Sequence, residues 1–295
     1  MKNKKKHKKL ILNLDDLGMS PGTNSAIFKL FDEKILPIRA SIISTTEESF
    51  SQALEGVFLR KDFNIGIHLS LTYGKSYTCS PCFSNNRGIF RLSYAQILLK
   101  SGSIDFLEAV EREFREQIVS VMKVTRKISH IDSHQHIHSI PAINKIVLKL
   151  AKEFHICDIR GFTEKPFMFL NRTKKYEKIF SIYSLKYFII RSLGFFRKKR
   201  QERIIFSILL AEEPLDIKIF SQLLALSRKK CVEIILHVGN SEKNKGFTFY
   251  SESENEYHNS YKRENEYMAL MNISNYVKKI KERKRLAREK EQVTS

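Results

Sequence analysis

Four histidines fall within nine residues in His130-Ile-Asp-Ser-His-Gln-His-Ile-His138, with Asp132 among them. Polar and apolar positions alternate through this segment, and a solvated loop has no reason to concentrate imidazoles so densely. Neutral imidazole is the commonest protein ligand for metals, so the segment reads as metal-binding, with His130 equally readable as structural. Further groups with chemical potential stand apart in the chain. Asp15 and Asp16 follow an apolar run, His68 lies in an alternating segment, and Arg160 and His237 each follow a short apolar stretch. Taken singly they have plainer readings. An Asp pair after a strand serves as a turn or a helix N-cap. A single histidine in an apolar strand is more often a hydrogen-bonded core residue.

One carboxylate and two imidazoles around a divalent ion leave coordination positions open, as a catalytic site requires. Such an ion lowers the pKa of water and polarises a carbonyl. A neighbouring carboxylate can then take the water proton while an acid opposite protonates the leaving group. Asp15 and His237 are available for those two roles. The chemistry suggested is metal-assisted hydrolysis.

The elements that must position these groups follow a regular rhythm. Strands are predicted at Leu10–Leu14, Ile38–Ile43, Asn64–Leu69, Ile128–Ile131, Ile156–Ile159 and Val232–Leu236. Helical patterns fill residues 21–31, 50–59, 104–125, 142–153 and 216–228, residues 72–92 read as loop, and a charged helix starts near residue 260. Short strands alternating with longer helices imply a mainly parallel α/β sheet, either an open sheet or a barrel. In a parallel barrel the strand C-termini share one face, which would gather the Asp, His and Arg residues in one place. No GxGxxG follows a strand and no GxxxxGK[ST] is present, so dinucleotide and P-loop chemistry have little support.

Together these motifs resemble the YdjC-like carbohydrate deacetylase family. The chain reads Asp15-Asp16-Leu17-Gly18-Met19-Ser20-Pro21-Gly22-Thr23-Asn24, then Gly66-Ile67-His68-Leu69-Ser70-Leu71-Thr72, then His130 to His138 followed by Pro141. Glu233-Ile-Ile-Leu-His237-Val238-Gly239 departs from the family's His-Pro-Gly at Val238, and Arg263-Glu-Asn-Glu266-Tyr267 matches its late helix. The resemblance implies a (β/α) barrel-like fold and a divalent metal, magnesium by the family's usual assignment, with zinc as the alternative. It implies Asp16, His68 and His134 as metal ligands, Asp15 as general base and His237 as acid. It further implies an acetylated amino-sugar as substrate. Asp132, His136, His138, Arg160 and Arg263 are candidates for substrate contact, and Arg160 and Arg263 could equally form structural ion pairs.

The chain of 295 residues carries 52 Lys and Arg against 32 Asp and Glu, a net charge of +20. That excess lies in residues 1–9, 171–205 and 278–291, and the remainder is neutral. A basic tail (1–9), a deacetylase-like domain (10–275) with a basic, apolar insert near 170–205, and a charged C-terminal helix (276–295) are therefore expected. A nucleic-acid-binding protein or a metal phosphoesterase are the competing readings. The first gives no reason for Asp and His at successive strand ends, and no nucleic-acid partner is expected. The second would want more carboxylates or a second metal. Cys79-x-x-Cys82 has no second pair and reads as loop thiols. Leu10–Leu12 is too short for a signal h-region, so a cytoplasmic location is expected.

Residues 176–196 interleave Phe180, Phe188, Phe195 and Phe196 with Lys178, Lys186 and Arg191, and Arg197–Arg200 follows. This fits a helix packed on the barrel or an interfacial helix on the inner face of an anionic membrane. If the membrane reading holds, deleting residues 176–200 will abolish flotation with anionic liposomes; equal flotation after the deletion would rule it out.

Overall fold

A computed structural model of the chain describes residues 10–125, 127–161, 203–206 and 215–293. The basic N-terminal tail and nearly all of the insert, including residues 176–200, lie outside the described residues.

Six parallel strands form one sheet: β1 (Leu10–Leu17), β2 (Ile38–Ile42), β3 (Ile65–Leu69), β4 (Ile131–Ser133), β5 (Arg203–Phe206) and β6 (Cys231–Leu236). Their order is β4-β3-β2-β1-β6-β5. Eight described helices accompany them: α1 (Pro21–Asp32), α2 (Glu48–Phe58), α3 (Tyr94–Lys100), α4 (Ile104–Met122), α5 (Pro141–Glu153), α6 (Ile217–Ser227), α7 (Glu252–His258) and α8 (Tyr261–Val293). The parallel α/β architecture expected from the sequence is the one observed. The predicted strand at Ile156–Ile159 is reduced to a single parallel bridge from Ile159 to Ile131. Arg203–Phe206, at the end of the stretch read as an insert, is a strand. Helix α3 lies just beyond the stretch read as loop, started by Ser93 and Gln96 in a reciprocal capping box.

Successive strand residues point to opposite faces of a sheet, and here the two faces differ in kind. Leu12 and Leu14, Ala40 and Ile42, Ile65 and Ile67, Ile131, and Val232, Ile234 and Leu236 join one apolar core with Ile27, Phe114, Val147 and Leu223 of the surrounding helices. Each fully buried aliphatic side chain contributes roughly 1.5–3 kcal/mol to folding. Most intervening positions are polar yet also buried: Asn13, Asp15, Arg39, Ser41, His68, Asp132 and Glu233, with Ile11 and Ile235 as apolar exceptions. These side chains line the inside of the curled sheet. Gly66 belongs to the same row, and a Cβ there would stand 2.2 Å from the His130 ring, so glycine makes room for that imidazole.

Ion pairs draw the sheet edges together. Asp158 precedes the residue that bridges to β4, and Arg203 lies on β5 at the other edge, yet they are 2.9 Å apart. Arg39 of β2 reaches both Asp158 at 2.8 Å and Glu233 of β6 at 2.9 Å. Arg203 also holds Glu233 at 2.6 Å. Removing one partner of a buried pair leaves an uncompensated charge and costs about 3–5 kcal/mol. Arg39→Met should therefore lower the unfolding free energy by roughly 3 kcal/mol or more, read from urea denaturation. A loss below about 1 kcal/mol would show that these pairs do not hold the curl.

Candidate metal centre and active site

A regular strand would send Asp15 and Asp16 to opposite faces. The register of β1 against β2 slips between Leu14 and Leu17, where three steps on β1 match two on β2. Within this bulge Asp16 adopts φ +70, the left-handed region. The bulge lets both carboxylates reach the end of the curled sheet. The turn that follows is fixed by its own residues. Gly18 has φ +94, and a Cβ there would meet the Ile43 carbonyl at 2.6 Å. The Gly18 N–H donates to Asn24 Oδ1 at 2.7 Å, and Ser20 caps α1 by accepting from Thr23 N–H.

After β4, Gln135 and His136 also take positive φ, 51 and 60, inside the short helical turn His134–Ser139. This kink presents His134 to the site while His138 packs against Ser133 Oγ.

Asp16, His68 and His134 converge. Asp16 Oδ1 lies 3.3 Å from His68 Nε2 and 3.5 Å from His134 Nδ1, and the three donor atoms all lie within 4.8 Å of one another. Asp16 Oδ1 is enclosed and makes no hydrogen bond. Asp16 Oδ2 is held by Arg263 at 2.8 Å. Asp132 Oδ1 lies 2.7 Å from His68 Nδ1, which fixes the tautomer that turns the Nε2 lone pair to the centre. One carboxylate oxygen without a hydrogen bond and two directed imidazoles fit a divalent cation.

The charges agree with this. Burial alone would raise the Asp16 carboxyl, but His134, His68 and Arg263 hold it well below the carboxylate range. Burial works against the His68 cation, yet Asp132, Asp16 and Asp15 lift its pKa to about 10. The field at His68 favours positive charge. In this interior Asp15, Asp16, Asp132, Asp158 and Glu233 face Arg39, Arg160, Arg203 and Arg263, so among the described residues five carboxylates meet four guanidiniums.

Arg160 has no exposed surface. It grips both oxygens of Asp15 at 2.8 and 2.7 Å, and meets Asp132 at 2.6 Å and Glu233 at 3.2 Å. Arg263 likewise stands in an ion pair, with Asp16 Oδ2 at 2.8 Å. Asp132 is likewise fully enclosed, between His68, His130 and Arg160. Asn13 and Ser41 add hydrogen bonds to Asp15 at 2.6 and 3.2 Å. His237 follows β6; its imidazole is held below 6.5 by burial, against the pull of Asp16 and Asp15. Its backbone N–H donates to Glu266 Oε2 at 2.6 Å, and Gly239 N–H donates to the Arg263 carbonyl at 3.2 Å. The His237 turn and Asp16 are thus both clamped by the first turns of α8. His136 and His138 are not among the donor groups that come together.

Three nearby groups are not among the site candidates drawn from the sequence. Glu254 and His258 come from α7, and Tyr73 follows β3 with an enclosed hydroxyl that makes no hydrogen bond. The Tyr73 ring lies 6.1 Å from His134 and 5.4 Å from Tyr250, and Phe249 stacks on His258 at 5.2 Å. Arg263 donates to the His258 ring, and burial with that neighbouring charge lowers His258 to about 4.

The fold and site together define a curled parallel α/β protein with a buried Asp/His/His group at its strand ends that could hold a metal ion. The YdjC-like protein family matches residues 9–276, and the chain belongs to that family. It is 34% identical over 149 residues to a carbohydrate deacetylase of Brevibacillus brevis, covering 50% of this chain and 57% of the relative. A carbohydrate deacetylase of Vibrio parahaemolyticus is 34% identical over 154 residues (52% and 59%), and one of Halalkalibacterium halodurans 31% over 159 (54% and 66%). The matches span less than two thirds of these relatives' lengths. A solved Enterococcus faecalis structure, described as a cellobiose-phosphate cleavage protein, superposes with a TM-score of 0.59 at 19% identity. It covers 92% of this chain and 95% of that one, and shows the same fold.

Glu266 supplies a test of this environment. Burial raises its carboxyl from 4.5 to about 8 despite the His237 N–H and Arg263. The folded state therefore binds a proton that the unfolded state has lost. Stability from this group is complete below about 4.5 and falls as pH rises towards about 8. Urea midpoints of metal-free protein should fall across that window, and more steeply than those of Glu266→Gln. Parallel profiles would show that Glu266 ionises normally.

Proposed function

We propose that the chain is a metal-dependent hydrolase that removes the N-acetyl group from an acetylated amino-sugar. The convergence of Asp16, His68 and His134 beside Asp15 and His237 carries this reading. The relatives named carbohydrate deacetylases support the substrate class.

Asp16, His68 and His134 would hold the cation. Magnesium is the first assignment, and two imidazoles with one carboxylate suit zinc equally. When bound, the ion supplies Lewis-acid polarisation of the acetyl carbonyl and a water of lowered pKa. Asp15 accepts the proton of the attacking water. Arg160, gripping both its oxygens, keeps that carboxylate fixed beside the centre. Water oxygen bonds to the acyl carbon, the carbon–nitrogen bond breaks, and acetate and a free amine leave. His237 passes a proton to the departing nitrogen. Burial disfavours its imidazolium, which makes that cation a stronger acid than a solvated one. Asp132 and Arg160 position His68 and Asp15 from beneath, without surface for the sugar. Tyr73, Phe249 and Tyr250 form the aromatic side of the site, apt for stacking on a sugar ring.

A phosphoesterase would be better served by a second metal. The other donor group, Asp15 with His68 and Asp132, shares His68 and has Asp15 tied to Arg160, which argues against one. We also propose work in the cytoplasm, with residues 176–200 as the membrane contact. No described helix is long and apolar enough to cross a membrane.

Acetate release from N-acetylglucosamine oligomers and lipid-linked amino-sugars tests the main reading. EDTA should abolish it, and added Mg²⁺ or Zn²⁺ should restore it. Asp16→Asn and His134→Ala should each lower kcat/KM at least ~100-fold, as loss of a group stabilising the transition state does. Metal-loaded protein that releases no acetate but cleaves phosphoesters would refute the proposal.

A further inference from the structure

The two imidazoles at the centre are built alike. His68 lies between Asp16 at Nε2 and Asp132 at Nδ1, 3.3 and 2.7 Å away. His134 lies between Asp16 at Nδ1, 3.5 Å away, and Glu254 at Nε2, 4.0 Å away. Asp132 is next to the centre in the sheet, whereas Glu254 is 120 residues further along the chain than His134, on α7.

Glu254 does not stand alone. Its Oε2 lies 3.3 Å from His258 Nε2, and one amino group of Arg263 contacts both ring nitrogens of His258 while its second holds Asp16 Oδ2. Asp16, Arg263, His258, Glu254 and His134 thus close a ring of contacts around one side of the centre. One link in it is open. At 4.0 Å, His134 Nε2 and Glu254 Oε1 are too far apart for a hydrogen bond, and the enclosed Nε2 makes no other. An enclosed imidazole N–H without an acceptor is destabilising, and Glu254 is the acid that faces it.

We propose that Glu254 is a positioning residue for His134. Its carboxylate accepts the Nε2–H and so turns the Nδ1 lone pair towards Asp16, as Asp132 does for His68. Closing the open link requires α7 to approach by about 1 Å. Helix α7 therefore belongs to the metal centre, although it contributes no ligand. The inference rests on the metal centre proposed above.

Two measurements on the full chain test it. The first is the His134 tautomer in metal-free protein, read from long-range ¹H–¹⁵N spectra at mildly alkaline pH. Wild type should show the Nε2–H form, and Glu254→Ala should show a mixture. The second is Mg²⁺ and Zn²⁺ affinity by calorimetry. Loss of an outer carboxylate partner weakens metal binding about 10–100-fold, so Glu254→Ala should fall in that range. Glu254→Gln keeps an acceptor oxygen without the charge and should fall between Ala and wild type. Glu252→Gln, on the exposed side of the same helix, should match wild type and controls for folding of α7. Affinity of Glu254→Ala within twofold of wild type, or an unchanged His134 tautomer, would overturn the inference. Wild type that binds neither metal would instead overturn the metal centre, and the tautomer would still decide the role of Glu254.

Discussion

The guanidinium of Arg160 is the point on which the interior depends. It is wholly enclosed and meets three carboxylates, Asp15, Asp132 and Glu233, from three different strands. A buried carboxylate is tolerated only when paired, and Arg160 shares that task with Arg39 and Arg203 at Glu233 and with His68 at Asp132. Its own place is set by backbone pairing. Arg160 N–H donates to the Ile131 carbonyl, and Ile131 N–H donates to the Asp158 carbonyl, each at 2.9 Å. The short bridge beside β4 thus delivers both Arg160 to the centre and Asp158 to the opposite edge. One three-residue stretch serves the curl of the sheet and the charge balance of the site.

This explains which parts were legible in the sequence. Polar residues at strand ends marked the centre because parallel strands bring their ends together whatever lies between. Asp15, His68 and His237 lie at such ends, whereas Asp16 also needs the β1 bulge, His134 the kink after β4 and Arg160 the single bridge at Ile159. The interior could have been read as well, since Asn13, Arg39, Ser41, Gly66 and Glu233 interrupt apolar strands at every second position. Such alternation usually marks a solvated face. Here the polar side is the inside, and no single strand reveals that. The edge at residues 156–160 was harder, because its pairing is one bridge long and periodicity needs more residues to show.

Glu254 and His258 were illegible for a different reason. Helix α7 has seven residues, most of them polar, and no local pattern separates the two that face the site from those that face water. Their role is created by the return of the chain after β6. The same applies to Glu266, whose raised pKa comes from enclosure by distant elements and not from any neighbour in sequence.

The bulge at Asp16 bears on how such a centre could be moved or rebuilt. Side-chain identities can be copied onto another parallel sheet by substitution alone, but two adjacent carboxylates aimed at one point cannot. That geometry needs an extra residue in the first strand, a left-handed Asp16, and a glycine two positions on that tolerates the Ile43 carbonyl. A designer would have to graft an irregularity of the backbone before choosing any side chain. The transferable unit is the misfit in the strand, and the aspartates are what it carries.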